Sequence, residues 1–204
     1  MMNRTVQRFF AGLALACVAA AAGAAPSPGA PAPGFVGTDS MGASVDLADF
    51  AGRKVILEWT NHDCPYVQKH YGTDNMQQLQ RDMADEGVVW LTVISSAPGT
   101  QGHVSAEQAN ALTASRNAAP AHVILDAEGV IGRAYEARTT PHMFIIDEAQ
   151  NVQYMGAIDD QPSARHSTVE GATNYVRNAY AALKASEPVN PASTQPYGCS
   201  VKYR

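Results

Sequence analysis

Cysteine is scarce: the 204 residues contain three, Cys17, Cys64 and Cys199. Three thiols spread this far apart exclude a disulfide-stapled miniature scaffold and a cysteine-rich zinc cluster. Cations are also few, with 14 Lys and Arg against 19 Asp and Glu for a net charge of −5. That balance excludes the basic footprint of a nucleic-acid-binding protein and a polybasic membrane patch. Aromatic residues make up only 7%. No internal repeat is present, and beyond the first two dozen residues no apolar run is long enough to cross a bilayer. What remains, at 46% apolar content, is one ordinary domain with a real core and with small molecules or proteins as partners.

The N-terminus reads as a targeting segment. Arg4 and Arg8 form a basic start, Phe9 to Ala22 is apolar and Ala-rich, and Ala22-Gly23-Ala24 is a small-residue cleavage site. Residues 1–24 are therefore expected to be a signal peptide, and the mature chain periplasmic or secreted. Cleavage would remove both arginines and Cys17. The alternative, lipid attachment at Cys17, has only Ala14-Leu15-Ala16 before it, a poor match to a lipid-attachment signal. Residues 25–34, which include PSPGAPAPG, read as an extended Pro/Ala tether. Residues 35–187 are expected to form the domain, and residues 188–204 a C-terminal tail with Pro188, Pro191, Pro196 and Cys199.

Periodicity orders the domain. Val45–Leu47 is a short strand and Val55–Thr60 a buried one. A helix begins at Cys64 or Pro65, is interrupted near Gly72, and restarts with Asp74 as N-cap and Gln77 as its capping-box partner. Val88–Ser95 is a central strand, Ser105 with Gln108 opens a helix to about Asn117, and Ala121–Leu125 is a further strand. Val130–Ala137 is a short helix. His142–Ile146 and Val152–Gly156 form a hairpin, and Ser167 with Glu170 is expected to open the last helix, with Val169, Ala172, Val176 and Leu183 inward. This pattern predicts an α/β fold with a mixed sheet flanked by helices.

In V55-ILEWTNHDCPYV-67, Cys64 ends a strand and precedes Pro65. A thiol at a helix N-terminus faces unpaired N–H groups and the positive end of the helix dipole, which favour thiolate. The cysteine at the first strand-to-helix junction and Thr140-Pro141 before a strand resemble the thioredoxin fold. PGFVGTDSMGASVDLADFAGRKVILEWT, NHDCPYVQKHY, TTPHMFIID, YMGAIDD and GCSVKY resemble, more narrowly, a peroxiredoxin-like branch of the alkyl-hydroperoxide-reductase/thiol-specific-antioxidant, or redoxin-like, proteins. The resemblance covers nearly the whole chain from about Pro33.

That resemblance implies a thiol oxidoreductase of thioredoxin or peroxiredoxin type, acting on a small peroxide or a protein disulfide with a thiol electron donor and no cofactor. It implies Cys64 as nucleophile, a cis Pro141 beside the sulfur, and Glu58 as a buried acid exchanging protons with the site; the alternative for Glu58 is pairing with Lys69 or Arg133. The chain departs from both patterns. A C-x-x-C dithiol is excluded because Val67 stands at the second position. A peroxiredoxin has Thr or Ser three residues before its cysteine, where this chain has Asn61, with Thr60 one place early. His62, Lys69 and His70 would each lower the thiol pKa if they lay near it.

Cys199 has three readings: a resolving thiol, half of a permanent disulfide worth on the order of 4 to 5 kcal/mol by loop entropy, or an unpaired cysteine. Two rival functions use the same region. One is a non-catalytic binding module; the other is a copper site built from His62, Cys64, His142 and Met143. No metal is assigned by the favoured reading, and Asp159-Asp160 is explained by a strand-end turn.

Overall fold

The computed structural model describes residues 25–204, so the expected signal segment and Cys17 lie outside the described residues. A five-stranded mixed sheet forms the centre. Its strands are β3 (Val55–Trp59), β4 (Val89–Ile94), β5 (His122–Leu125), β7 (His142–Ile146) and β8 (Val152–Gly156). They lie in the order β5-β4-β3-β7-β8. β3, β4 and β5 are parallel, and β7 and β8 run antiparallel to β3 and to each other. This is the thioredoxin-like arrangement.

Strand alternation sorts the core into two layers. Val55, Leu57 and Trp59 face one side, with Leu91, Val93, Phe144 and Ile146. A hairpin of β1 (Val36–Thr38) and β2 (Ser44–Asp46) covers that side with α4 (Val130–Ala134). Ile56 faces the other side, with Trp90, Met143 and Ile145. There α1 (Pro65–Gly72), α2 (Asn75–Asp85) and α5 (Tyr175–Lys184) pack. α3 (Ala106–Ser115) sits near the β5 edge on Ile94 and Val123. Every residue of β3 is buried, and at roughly 1.5 to 3 kcal/mol per buried large apolar side chain the one charged member, Glu58, is conspicuous.

The Ser105–Gln108 capping box forms as expected, with both reciprocal bonds. Two others do not. Asp74 adopts a left-handed backbone (φ 58°) that turns its carboxylate to Arg81 at 2.8 Å, and Gln77 instead donates to the Tyr71 and Arg116 carbonyls. Ser167 lies in a single 3-10 turn, His166–Thr168, and α5 starts eight residues later, at Tyr175, capped by Asn174. The reason is long-range: Asp160 N and Tyr175 N donate to Thr173 O and Ile158 O, so residues 173–175 are tied to the end of β8 before a helix can begin.

The Pro/Ala segment expected as a tether is bonded rather than free, with Gly29 N donating to Val152 O and Ala32 N to Gln150 O along the β8 side. The C-terminal tail is likewise docked. Thr194 N donates to Met155 O, and β9 (Cys199–Ser200) pairs antiparallel with β6 (Thr139–Thr140). Lys202 O then accepts from Ala97 N. Both the Thr140–Pro141 and Asn190–Pro191 bonds are cis.

Candidate active site

Cys64 is the N-cap of α1, with Pro65 at the first helical position. A turn places it there: Asn61 O accepts from Cys64 N at 3.0 Å, and Asn61 Oδ1 accepts from Asp63 N at 2.9 Å. Its sulfur is fully buried. As a thiol it donates to Thr140 O at 3.2 Å, the carbonyl before cis-Pro141, and it accepts from Cys199 N at 3.4 Å. The β6–β9 pairing, which sets Thr140 opposite Cys199, thus builds one wall of the sulfur's surroundings from a segment 135 residues away.

Both cysteines are free thiols, and each bears on the ionisation of the other. Burial alone would raise the Cys64 pKa, but the Cys199 thiol, the Val67 N–H and the Cys199 N–H oppose it and hold the net value below the ordinary thiol range. Cys199 is pushed up to about 12, first by burial and then by its bond to Cys64 and the Cys64 charge. The pair is therefore polarised: Cys64 is the thiol that ionises first, and Cys199 the one that holds its proton. Once Cys64 carries an adduct, two of the three causes that hold the proton on Cys199 disappear.

Gly198 makes this approach possible. Its φ is +127°, and a Cβ there would overlap Thr140 O. Gly198→Ala should lift β9 from β6, cost about 1 to 3 kcal/mol, and uncover Cys64. Faster labelling of Cys64 by an aromatic disulfide reagent, located by mass, is the expected result; unchanged labelling would show that the sulfur is not sealed by the tail.

Glu58 lies on the helix-covered face of β3 and accepts from four neutral groups. Tyr71 OH donates at 2.9 Å to one oxygen, and Trp90 Nε1, Thr92 Oγ1 and Gln80 Nε2 donate at 3.0 to 3.2 Å to the other. Neither Lys69 nor Arg133 pairs with it, and the sulfur is not among its partners. Burial raises its pKa, against the lowering effect of these donors. A carboxyl whose folded pKa is raised contributes stability that is full below its ordinary value near 4.5 and is lost as pH rises through the folded value. Glu58→Gln should abolish that loss, gaining on the parent chain as pH rises above about 4.5, by roughly 1.4 kcal/mol per unit of upward shift. Parallel stability curves in urea titrations at pH 4 and pH 8 would contradict it.

Thr60 and Asn61 do not reach the sulfur. With Tyr71 and Arg116 they line a separate cavity of about 30 Å³, room for one or two waters. Thr60 Oγ1 is buried there without a partner. His62, Lys69 and His70 are also not among the groups that shift the thiol. His62 pairs with Asp63 at 3.3 Å, while Lys69 and His70 turn into a buried cluster with Asp159 and Tyr197. The copper arrangement does not form. Met143 packs in the layer of Cys64, whereas His142, one residue earlier on the strand, faces the opposite side against Phe144. Among the described residues no group of three or more His, Cys, Asp or Glu is placed to hold a metal.

Sequence reasoning missed Tyr197, Asp159 as its partner, and the donors around Glu58. The signal for Tyr197 was its place two residues before Cys199.

A family model described as Redoxin matches residues 27–174. Among solved structures, a hypothetical protein from Sinorhizobium meliloti 1021 is similar at TM-score 0.77 and 22% identity, covering 89% of this chain and 97% of its own. An uncharacterized conserved protein from Geobacillus kaustophilus gives TM-score 0.75 and 24% identity, with 87% and 93% covered. The mitochondrial 2-cys peroxiredoxin from Plasmodium falciparum gives 0.55 and 15%, with 78% and 96% covered. A search of curated proteins finds no match.

Proposed function

The chain belongs to the Redoxin family, and from that premise we propose that it is an exported thiol oxidoreductase in which Cys64 is the nucleophile and Cys199 the resolving thiol. Redoxin membership and the thioredoxin-like fold support thioredoxin-type redox chemistry. The observation that carries the finer reading is the tail's delivery of Cys199 to the Cys64 sulfur, with Cys199 N 3.4 Å from Cys64 Sγ. It supplies the partner that Val67 cannot.

In the first step the Cys64 thiolate attacks a peroxide oxygen or a disulfide sulfur. The O–O or S–S bond breaks, giving, with one proton taken up from solvent, a Cys64 sulfenic acid plus an alcohol or water, or, with no proton taken up, a mixed disulfide plus a thiolate. Cys199 then loses its proton and attacks Cys64 Sγ. The Cys64–Cys199 bond forms as hydroxide leaves as water, or as the second substrate thiolate departs. An external dithiol returns both cysteines to thiols. Pro141 shapes the wall beside the sulfur, and Thr60 and Asn61 stand back from it. Glu58 enters this reading only as a proton reservoir behind the site, because its donors are core side chains. Among the described residues no helix is long and apolar enough to cross a membrane, and export rests on the sequence of residues 1–24.

The test is oxidation of the purified mature protein by one equivalent of hydrogen peroxide or of a small disulfide, followed by peptide mass mapping. A peptide linking Cys64 to Cys199 is expected with at least one oxidant. If neither oxidant is consumed and no adduct forms on Cys64, the enzyme reading fails.

A further inference from the structure

Lys69, His70 and Asp159 form a charged cluster with no role in the chemistry above. Lys69 and His70 are fully buried and Asp159 is 2% exposed. A cluster of this kind is costly unless its groups satisfy one another, and here Tyr197 is the group that links them, bonding Asp159 Oδ1 while Oδ2 has only the Lys69 charge 3.6 Å away. The Tyr197 hydroxyl accepts from Lys69 Nζ at 3.1 Å, lies 3.2 Å from His70 Nε2, and donates to Asp159 Oδ1. The directions are fixed. Asn75 Nδ2 lies 2.8 Å from His70 Nδ1 and can only donate, so the ring proton of a neutral His70 is on Nε2, facing the phenol. Two donors on the phenol oxygen leave its own proton for Asp159.

The cluster joins two things that the reaction needs to keep together. Lys69 and His70 belong to α1, whose N-cap is Cys64. Tyr66, also on α1, packs its ring against the Tyr197 ring at 5.7 Å, and Lys69 Nζ lies 5.1 Å from the same ring. Tyr197 precedes Cys199 by two residues, at most about 7 Å of extended chain. We infer that Tyr197 is a positioning residue for the resolving step: it plugs the tail into the helix that carries the nucleophile and so seats the Cys199 thiol on the Cys64 sulfur. The inference rests on the proposed function, since it assumes that Cys199 resolves Cys64.

Anchoring acts on the second step and not the first. In Tyr197→Phe, Cys64 should react with peroxide or a small disulfide at least as fast as in the parent chain, because its cover is loosened. Closure to the Cys64–Cys199 disulfide should slow by about tenfold or more, so the Cys64 adduct accumulates and excess peroxide carries it on to sulfinic acid. Rapid quench at timed intervals with mass analysis reads the two steps separately. Loss of stability alone would not alter the ratio of open adduct to closed disulfide. Should Tyr197→Phe not fold, Tyr66→Ala removes the ring contact without stranding a buried polar group and should shift the ratio in the same direction. An unchanged ratio in the folded variants, with the parent chain still forming the disulfide, overturns the positioning role alone. A parent chain that forms no Cys64–Cys199 disulfide overturns the proposed function first.

Discussion

Replacing Cys64 by serine is expected to reduce peroxide consumption and disulfide exchange to the rate of buffer, while Cys199→Ser retains the first step and traps its product. The asymmetry follows from the polarised pair. Cys64 has its pKa held down by the Cys199 thiol and by the N–H groups of Val67 and Cys199, whereas Cys199 is pushed up to about 12. Of the two, Cys64 ionises first and is the better nucleophile. A serine hydroxyl at the same N-cap keeps the donor to Thr140 O but is not ionised, so no substitute nucleophile remains. Cys199→Ser should retain one equivalent of oxidant consumption per chain and carry a sulfenic acid or mixed disulfide on Cys64. It removes one cause of the lowered Cys64 pKa, so the first step should also lose some of its rate near pH 7. Intact-mass measurement after one equivalent of oxidant distinguishes these outcomes. Full turnover in the Cys64→Ser chain would end the assignment, and turnover in Cys199→Ser equal to the parent's would remove Cys199 from the cycle.

Much of this geometry was readable from local pattern. β3 and β4 are continuous apolar runs between breakers, the β7–β8 hairpin has its turn residues, and the Cys64-Pro65 junction is a helix start on any reading. What could not be read is held by contacts between distant residues. Ser167 and Glu170 have the spacing of a capping box, but residues 173–175 are bonded to 158–160 instead. Lys69 and His70 are five and six residues after Cys64, near enough in sequence to seem part of the thiol's electrostatics. They point to Asp159, some 90 residues later, and to Tyr197, nearly 130 later. The placement of Cys199 against Cys64 belongs to the same class, set by a two-residue ladder and a glycine whose neighbours lie far away in sequence.

Acid should destabilise this protein from about pH 6.5 downward, before its carboxylates are protonated, and two buried histidines are the cause. His70 is lowered to about 3 by burial and then by the charge of Lys69; His142 is lowered to about 3 by burial and then by Arg138. A histidine whose folded pKa is depressed contributes stability that is full above its ordinary value near 6.5 and lost as pH falls toward the folded value. By pH 4 each has forfeited on the order of 3 kcal/mol, and the two together rival the roughly 5 to 15 kcal/mol of a typical domain. Glu58 works in the opposite direction, its raised value adding stability as pH falls. His142→Phe isolates the effect. Its Nε2 has no partner and its Nδ1 receives only a 3.4 Å contact from Arg138 N, so the ring's polar atoms contribute little at pH 7. The variant should match the parent at neutral pH and unfold at lower pH, followed by far-ultraviolet circular dichroism from pH 7 to 3; an unshifted acid midpoint would rule the histidine out. For His70 the charge arrives beside Lys69, and the new proton goes to Nδ1, against the Asn75 amide donor, inside the cluster that holds Tyr197. The tail anchor is therefore expected to fail before the sheet does, and Cys64 labelling should accelerate at a higher pH than the loss of secondary structure.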